Sequence, residues 1–101
     1  MKIIDKPSQN YGERAKNCKI DLLLLHYTGM RNSVEALDRL LDPLSKVSAH
    51  YMVNEDGLIF RLVEEKFRAW HAGVSYWKGE ADINSISIGI ELVNPGHEFG
   101  Y

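Results

Sequence analysis

The sequence predicts an α/β domain with a mixed central β-sheet flanked by helices, and three patterns support this. Two apolar segments, residues 20–27 and 86–93, have the composition of β-strands. An amphipathic helical pattern follows residue 32, and a hairpin pattern covers residues 49–63. The chain has 101 residues, which is the size of at most one small domain.

The first part of the chain predicts an extended arm joined to one buried strand. Residues 1–19 form the arm, because Pro7, Ser8, Asn10 and Gly12 interrupt any periodicity. Residues 20–101 then form the N-terminal part of a single domain. Its first strand, residues 20–27, is predicted to be buried, and residues 28–32 form a loop.

One helix is predicted after this loop. It begins at Asn32 or Ser33, with Glu35 placed to complete a capping box from Asn32. Pro43 ends it. The stripe of apolar residues on one face consists of Val34, Leu37, Leu40 and Leu41.

The second half predicts a hairpin, a loop and a last strand. Residues 49–53 and 58–63 are the hairpin strands, joined by a turn that ends at Gly57. Residues 68–79, rich in Trp, His, Tyr and Gly, predict a loop. The last strand covers residues 86–93, and a turn begins at residues 94–96. The first strand and the hairpin are apolar on both faces, whereas one helix is available to cover them. The pattern is therefore that of the first part of a larger α/β domain.

Composition excludes several partners. The formal net charge is −2, and no basic run indicates nucleic-acid binding. The longest apolar stretch, four leucines, is too short to span a membrane. Charged residues and a proline interrupt the N-terminus before a signal-peptide core could form. A single cysteine fits a reducing compartment, so we expect a cytoplasmic protein.

Glu91 is the leading candidate for acid–base chemistry. Strand alternation places it with Ser87 and Gly89 on one face, opposite a face of isoleucines and leucine. Such small neighbours leave room for a ligand, and desolvation would raise the pKa of the carboxyl group toward the range of a general base. The alternative is a glutamate on an edge strand that faces water.

The four histidines have different predicted roles. His26 ends a strand, at the edge of the sheet where ligands bind in α/β proteins, so it is either a metal ligand or a hydrogen-bonded core residue. His50 lies inside a hairpin strand and is predicted to be structural. His71 belongs to a loop that suits a pocket wall, and His97 is expected to be solvated. The histidine spacing does not form a self-sufficient zinc motif.

Five sequence blocks in order resemble one enzyme family. They are residues 24–28 (LLHYT), 47–53 (VSAHYMV), 56–57 (DG), 68–73 (RAWHAG) and 84–91 (NSISIGIE). In this order they resemble the zinc-dependent N-acetylmuramoyl-L-alanine amidases of the type-2 family, whose fold is shared by peptidoglycan-recognition proteins. The resemblance extends from about residue 20 to residue 94.

The resemblance implies roles for particular residues. His26 matches the first Zn²⁺ ligand, and Glu91 matches the catalytic carboxylate. The substrate would be a muropeptide, a fragment of peptidoglycan. The positions that match the walls of its cleft are Trp70, His71, Ala72 and, near the stem peptide, Asn84. In the implied mechanism Zn²⁺ activates a water, and Glu91 takes the proton from that water and delivers it to the departing L-alanine amine.

The sequence departs from the family pattern in its metal site. The family completes the site with a second His and an Asp or Cys that follow the catalytic strand, and no counterpart is found up to residue 101. His26 is thus the one ligand accounted for, where a catalytic zinc normally has three. The expected fold is accordingly one truncated after the strand that carries Glu91. Two alternatives to an active amidase stay open: a non-catalytic muropeptide-binding module and an inactive fragment.

Overall fold

The computed structural model describes residues 2–27, 33–72 and 82–93. These ranges contain seven strands and two helices. In chain order they are β1 (Ile3–Asp5), β2 (Tyr11–Glu13), β3 (Leu22–Tyr27), α1 (Ser33–Leu41), β4 (Tyr51–Val53), β5 (Ile59–Arg61), β6 (Phe67–Ala69), α2 (Ile83–Ile86) and β7 (Ser87–Leu92).

The main sheet is mixed, as the sequence predicts. Its strand order is β1-β5-β4-β7-β3. The hairpin strands β4 and β5 are antiparallel, and the other three pairings are parallel. Gly57, with φ of 88°, occupies the left-handed position of the hairpin turn, a conformation that suits glycine. The predicted hairpin is therefore confirmed, with strands shorter than expected.

β7 lies between β4 and β3 and brings the two leading candidate residues together. In the parallel register, Glu91 is paired with His26 on β3 and with Met52 on β4. Because the carboxyl ends of β3 and β7 lie side by side, the two residues meet at one edge of the sheet.

α1 supplies the cover for one face of this sheet. The helix ends at Leu41, just before the predicted stop at Pro43. Its residues Ala36 and Leu40 are 2% and 5% exposed and pack into the core. The buried core cluster comprises Ala36, Leu40, Met52, Leu62, Val63, Ala69 and Val93.

The predicted arm, residues 1–19, contributes to both sheets. β1 pairs with β5, and β2 pairs with β6 in a separate two-stranded sheet. Between them, Ser8 donates a hydrogen bond to the Leu40 carbonyl at 2.7 Å, and the Asn10 amide donates to the Asp42 carbonyl at 2.8 Å. The first bond satisfies a carbonyl group in the last turn of α1, which has no partner within the helix, and the second attaches the arm to the residue after α1. β6 overlaps the first residues of the predicted loop 68–79, so the chain is a strand there up to Ala69.

The prediction of full burial for the first strand is wrong. On one face of β3, Leu23, Leu25 and Tyr27 are 62%, 60% and 63% exposed. β3 is the last strand in the order of the described sheet, and none of the described helices covers this face. An apolar run indicates a preference for burial, but it does not specify what covers it.

Some expectations concern residues outside the described ranges. They are the loop at residues 28–32 with the capping residue Asn32, residues 73–79 of the predicted loop, the turn at 94–96 and His97. Within the described ranges, no helix is both long and apolar enough to cross a membrane.

Candidate active site

A cleft opens where the carboxyl ends of β3 and β7 meet α1 and the segment after β6. Its volume is about 110 Å³. That is smaller than the pockets which enclose whole ligands, roughly 300–1,000 Å³, so it suits the reacting group of a larger molecule. The residues that line it are Tyr27, Ala36, Arg39, Leu40, Val47, Ser48, Trp70, His71 and Glu91.

Glu91 is partly buried in this cleft. Desolvation raises the pKa of its carboxyl group above the ordinary value, and the positive charges of His26 and Arg39 oppose the rise to a smaller extent. A carboxylate with a raised pKa holds a proton more readily, which is the property of a general base. The direction of the shift agrees with the prediction from the alternation of β7.

His26 is in direct contact with a second imidazole. Its Nε2 lies 3.0 Å from Nδ1 of His71, and the ring centroids are 5.2 Å apart. Burial first, and then the charges of His26 and His50, lower the pKa of His71 to about 3. The His71 ring is consequently neutral at ordinary pH. Two of the predicted site residues are thus joined by one hydrogen bond.

The space beside Gly89 is occupied, which corrects one expectation. The sequence suggests that Ser87 and Gly89 leave room for a ligand next to Glu91. A Cβ placed on Gly89 would lie only 2.3 Å from Cγ of His71. The absence of a side chain at Gly89 therefore accommodates the His71 ring, and the cleft begins beyond that ring.

Asn84 holds the segment that carries His71. α2 places the Asn84 side chain where it is only 7% exposed. Its Oδ1 accepts hydrogen bonds from the backbone N–H of His71 at 3.1 Å and of Ala72 at 2.9 Å. The resemblance implies that Asn84 lies near the stem peptide, and this stays a prediction; in the structure its side chain bonds this loop.

The backbone of Trp70 is hydrogen-bonded to Ser48, in the segment that precedes β4. Its backbone N–H donates to Ser48 Oγ at 2.9 Å, and its carbonyl accepts from the Ser48 N–H at 2.9 Å. The Trp70, His71 and Ala72 backbone is therefore fixed from two directions, by Ser48 and by Asn84. Such a segment presents a pre-organised wall to a ligand.

The sequence pattern does not indicate the contacts that two supporting residues, His50 and Arg14, make in the structure. His50 is fully buried; it accepts a hydrogen bond from the Gly89 N–H at 3.0 Å, and its Nε2 lies 2.9 Å from the Phe67 carbonyl. Arg14 donates to the carbonyls of Asn84, Ser85 and Glu65. Nothing in the predicted arm marks Arg14, because its partners are carbonyl groups far along the chain.

The metal chemistry of the site is incomplete within the described ranges. No group of three His, Cys, Asp or Glu side chains there has an arrangement that could hold a metal ion. His26, the one ligand that the resemblance implies within these ranges, is paired in strand register with Glu91. The described residues do not by themselves form the three-ligand set of a catalytic zinc.

Sequence comparisons connect this chain to known amidases. Residues 16–101 match the family model described as N-acetylmuramoyl-L-alanine amidase. N-acetylmuramoyl-L-alanine amidase AmiD of Escherichia coli is 40% identical over 87 residues, which cover 77% of this chain and 30% of AmiD. 1,6-anhydro-N-acetylmuramyl-L-alanine amidase AmpD of Haemophilus influenzae is 31% identical, over 84% of this chain and 55% of AmpD.

Solved structures show the same fold. A selenomethionine derivative of AmpD superposes with a TM-score of 0.80 at 30% identity, covering 92% of this chain and 62% of AmpD. E. coli AmiD, solved with the substrate anhydro-N-acetylmuramic acid-L-Ala-D-gamma-Glu-L-Lys, gives a TM-score of 0.68 at 39% identity, covering 83% of this chain and 35% of AmiD. The chain thus spans less than two thirds of the length of these relatives.

Proposed function

The chain belongs to the N-acetylmuramoyl-L-alanine amidase family, and from that premise we propose that the protein hydrolyses the amide between N-acetylmuramic acid and L-alanine in peptidoglycan fragments. The observation that carries the proposal is the pairing of Glu91 with His26 at the carboxyl ends of two parallel strands. Glu91 lines a cleft whose wall includes His71, and His26 contacts that histidine. A carboxylate that can act as a general base, next to an imidazole that can bind a metal ion, is an arrangement suited to metal-assisted amide hydrolysis.

Glu91 acts in this proposal as the proton carrier. Its carboxylate takes a proton from the attacking water as the new C–O bond forms at the amide carbon. It then gives that proton to the L-alanine nitrogen as the C–N bond breaks, so that the amine departs neutral. The raised pKa of Glu91 supports both steps, because the protonated form must persist long enough to donate.

Zn²⁺ is the proposed cofactor, with His26 as one ligand. When bound in such sites, zinc lowers the pKa of a water ligand to about 7 and polarises the carbonyl group. No group of three candidate ligand side chains occurs among the described residues, so we propose His26 alone and assign the other ligands to no residue of this chain.

The substrate we propose is an anhydro-muropeptide, and the setting is peptidoglycan recycling. Support comes from the named activity of AmpD and from the substrate bound to AmiD. We further propose a cytoplasmic location, for which the support is the single unpaired cysteine. Cell fractionation checks this location, and recovery in an extracytoplasmic fraction would contradict it.

Glu91→Gln tests the catalytic role. The substitution keeps the size of the side chain but removes its proton-carrying group, so we expect hydrolysis of anhydro-muropeptide to fall about 10²- to 10⁴-fold. Chromatography of the released peptide measures the rate. Glu55→Gln, at an exposed glutamate in the hairpin turn, is the matched control and should retain the rate. Full turnover by the Glu91 variant would overturn this role.

A second candidate function is binding of muropeptide without cleavage. The observation that favours it is that the described residues lack a complete metal site. Isothermal titration with an anhydro-muropeptide, followed by mass spectrometry of the recovered ligand, separates the two functions. Binding with intact ligand after incubation with Zn²⁺ supports the binding module, whereas cleaved ligand supports the amidase.

A further inference from the structure

We propose that Ser87 and His71 are positioning residues that fix His26 in the tautomer whose proton is on Nε2, through a directional chain of hydrogen bonds that begins at the Ile83 carbonyl. The role of His26 rests on the proposed function. The tautomer itself is a property of the folded chain and is measured without substrate or metal.

The chain of hydrogen bonds begins with the Ser87 hydroxyl, which donates to a backbone carbonyl. Ser87 Oγ lies 2.7 Å from the backbone oxygen of Ile83, the residue four positions earlier at the start of α2. A carbonyl oxygen only accepts hydrogen bonds, and a serine hydroxyl has a single proton. That proton must therefore point at Ile83, which leaves Ser87 Oγ as an acceptor toward any other partner.

His71 then determines which atom donates in the next hydrogen bond. Its Nε2 lies 2.9 Å from Ser87 Oγ, so Nε2 must carry the proton that this bond requires. A neutral imidazole has one N–H, so Nδ1 of His71 carries a lone pair. Nδ1 lies 3.0 Å from Nε2 of His26, and His26 must accordingly donate from Nε2.

The orientation of the His71 ring is fixed by its surroundings, so each ring nitrogen keeps its own hydrogen-bond partner. Ser87 is completely buried. The ring packs against the backbone at Gly89 on one side, where not even a Cβ would fit. Asn84 fixes the backbone of His71 and Ala72. A flip of the ring would therefore break its bonds with both Ser87 and His26.

The consequence concerns the other nitrogen of His26. With the proton held on Nε2, Nδ1 carries the lone pair and is the atom that can bind a metal ion. Histidine ligands commonly donate their second N–H to a protein acceptor, which sets the tautomer and the orientation of the ring. Here that acceptor is another histidine, whose own tautomer is set by a serine.

NMR of histidine-¹⁵N-labelled, metal-free protein tests the direction. The sample is held at about pH 8, above the ordinary histidine pKa of about 6.5. We expect a scalar coupling across the bond between His26 Nε2 and His71 Nδ1, with the shared proton directly bonded to His26. We also expect the second proton on His71 Nε2. A shared proton bonded to His71 Nδ1, or no coupling between the rings, overturns the proposal.

Two serine variants separate positioning from general stability. Ser87→Ala removes the acceptor for His71 Nε2, so we expect a loss of the His26 Nε2–H signal as the second tautomer becomes populated. Ser85→Ala is the matched control, since Ser85 is equally buried two residues away and bonds Asp82 instead. An unchanged His26 signal in the Ser87 variant contradicts the proposal. If that variant does not fold, the wild-type spectrum alone decides the direction.

Discussion

Gly89 shows how one missing side chain organises the site. Its Cα faces the His71 ring at a distance that excludes a Cβ, and its N–H donates to His50 at 3.0 Å. A single residue of β7 thus contacts two of the three imidazoles in the described part of the chain. An isolated glycine in a strand commonly marks this kind of close approach.

Gly89→Ala should be strongly destabilising. Because the new methyl group would overlap the His71 ring, the ring or the strand must shift, at a cost of about 1–3 kcal/mol in the free energy of unfolding. Chemical denaturation measures the change. Gly12→Ala in β2 is the control, since its Cβ would meet only Trp70 Nε1 at 4.0 Å. Equal effects of the two substitutions would contradict this account of Gly89.

At the scale of elements, the short helix α2 is a support for the loop that forms the cleft wall. Its Asn84 accepts two backbone hydrogen bonds from that loop. Asp82, the residue before α2, forms an ion pair with Arg68 at 2.8 Å. The cleft wall at His71 is therefore attached to α2 through Asn84, and β6 is attached to the residue before α2 through the ion pair.

Asn84→Ala should loosen the wall. It leaves the partly buried N–H groups of His71 and Ala72 without their acceptor, at a cost of about 1–3 kcal/mol. Hydrogen exchange at these two amides should become faster than in the native protein. Asn84→Asp keeps an acceptor oxygen and should preserve more of their protection. Unchanged exchange in the alanine variant would show that other contacts hold the loop.

The sequence predicts some of these elements and not others for physical reasons. α1 and the β4–β5 hairpin carry local signals, an apolar stripe before Pro43 and a turn at Gly57. β1, β2 and β6 have three residues each and form by pairing with distant partners, so no local pattern predicts them. The neighbourhood of His26 and Glu91 follows from strand register, whereas the contact between His26 and His71 depends on the course of a loop.

At the scale of the whole molecule, His50 connects three separate parts of the chain. It lies between β7, through the Gly89 N–H, and β6, through the Phe67 carbonyl, with Arg14 at 3.2 Å from Nε2. Burial is the largest cause of its lowered pKa; the Phe67 carbonyl opposes this effect, and the Arg14 charge reinforces it. A proton added at Nδ1 would face the Gly89 N–H, so the charged form is disfavoured in the fold.

The stability of the protein should therefore fall in acid. In the unfolded chain His50 binds a proton near pH 6.5, while in the folded chain it does so only at lower pH. Between these values the unfolded state holds more protons, so the free energy of unfolding decreases as the pH falls through this window. Denaturation at several pH values measures the slope.

His50→Gln provides the comparison for this slope. The variant should lose part of the pH dependence and retain the part due to His71, whose pKa is about 3 in the fold. A slope identical to that of the native protein would show that His50 does not contribute.

The most direct test of the account is to locate the muropeptide on the chain. We would titrate an anhydro-muropeptide into ¹⁵N-labelled Glu91→Gln protein, in which the ligand stays intact, and follow the amide signals. Because Trp70, His71 and Glu91 line the cleft, we expect shifts concentrated at Trp70, His71, Ala72 and the end of β7, with the distant hairpin turn around Gly57 unaffected. Saturable shifts confined to that turn, or no shifts at any ligand concentration, would contradict it.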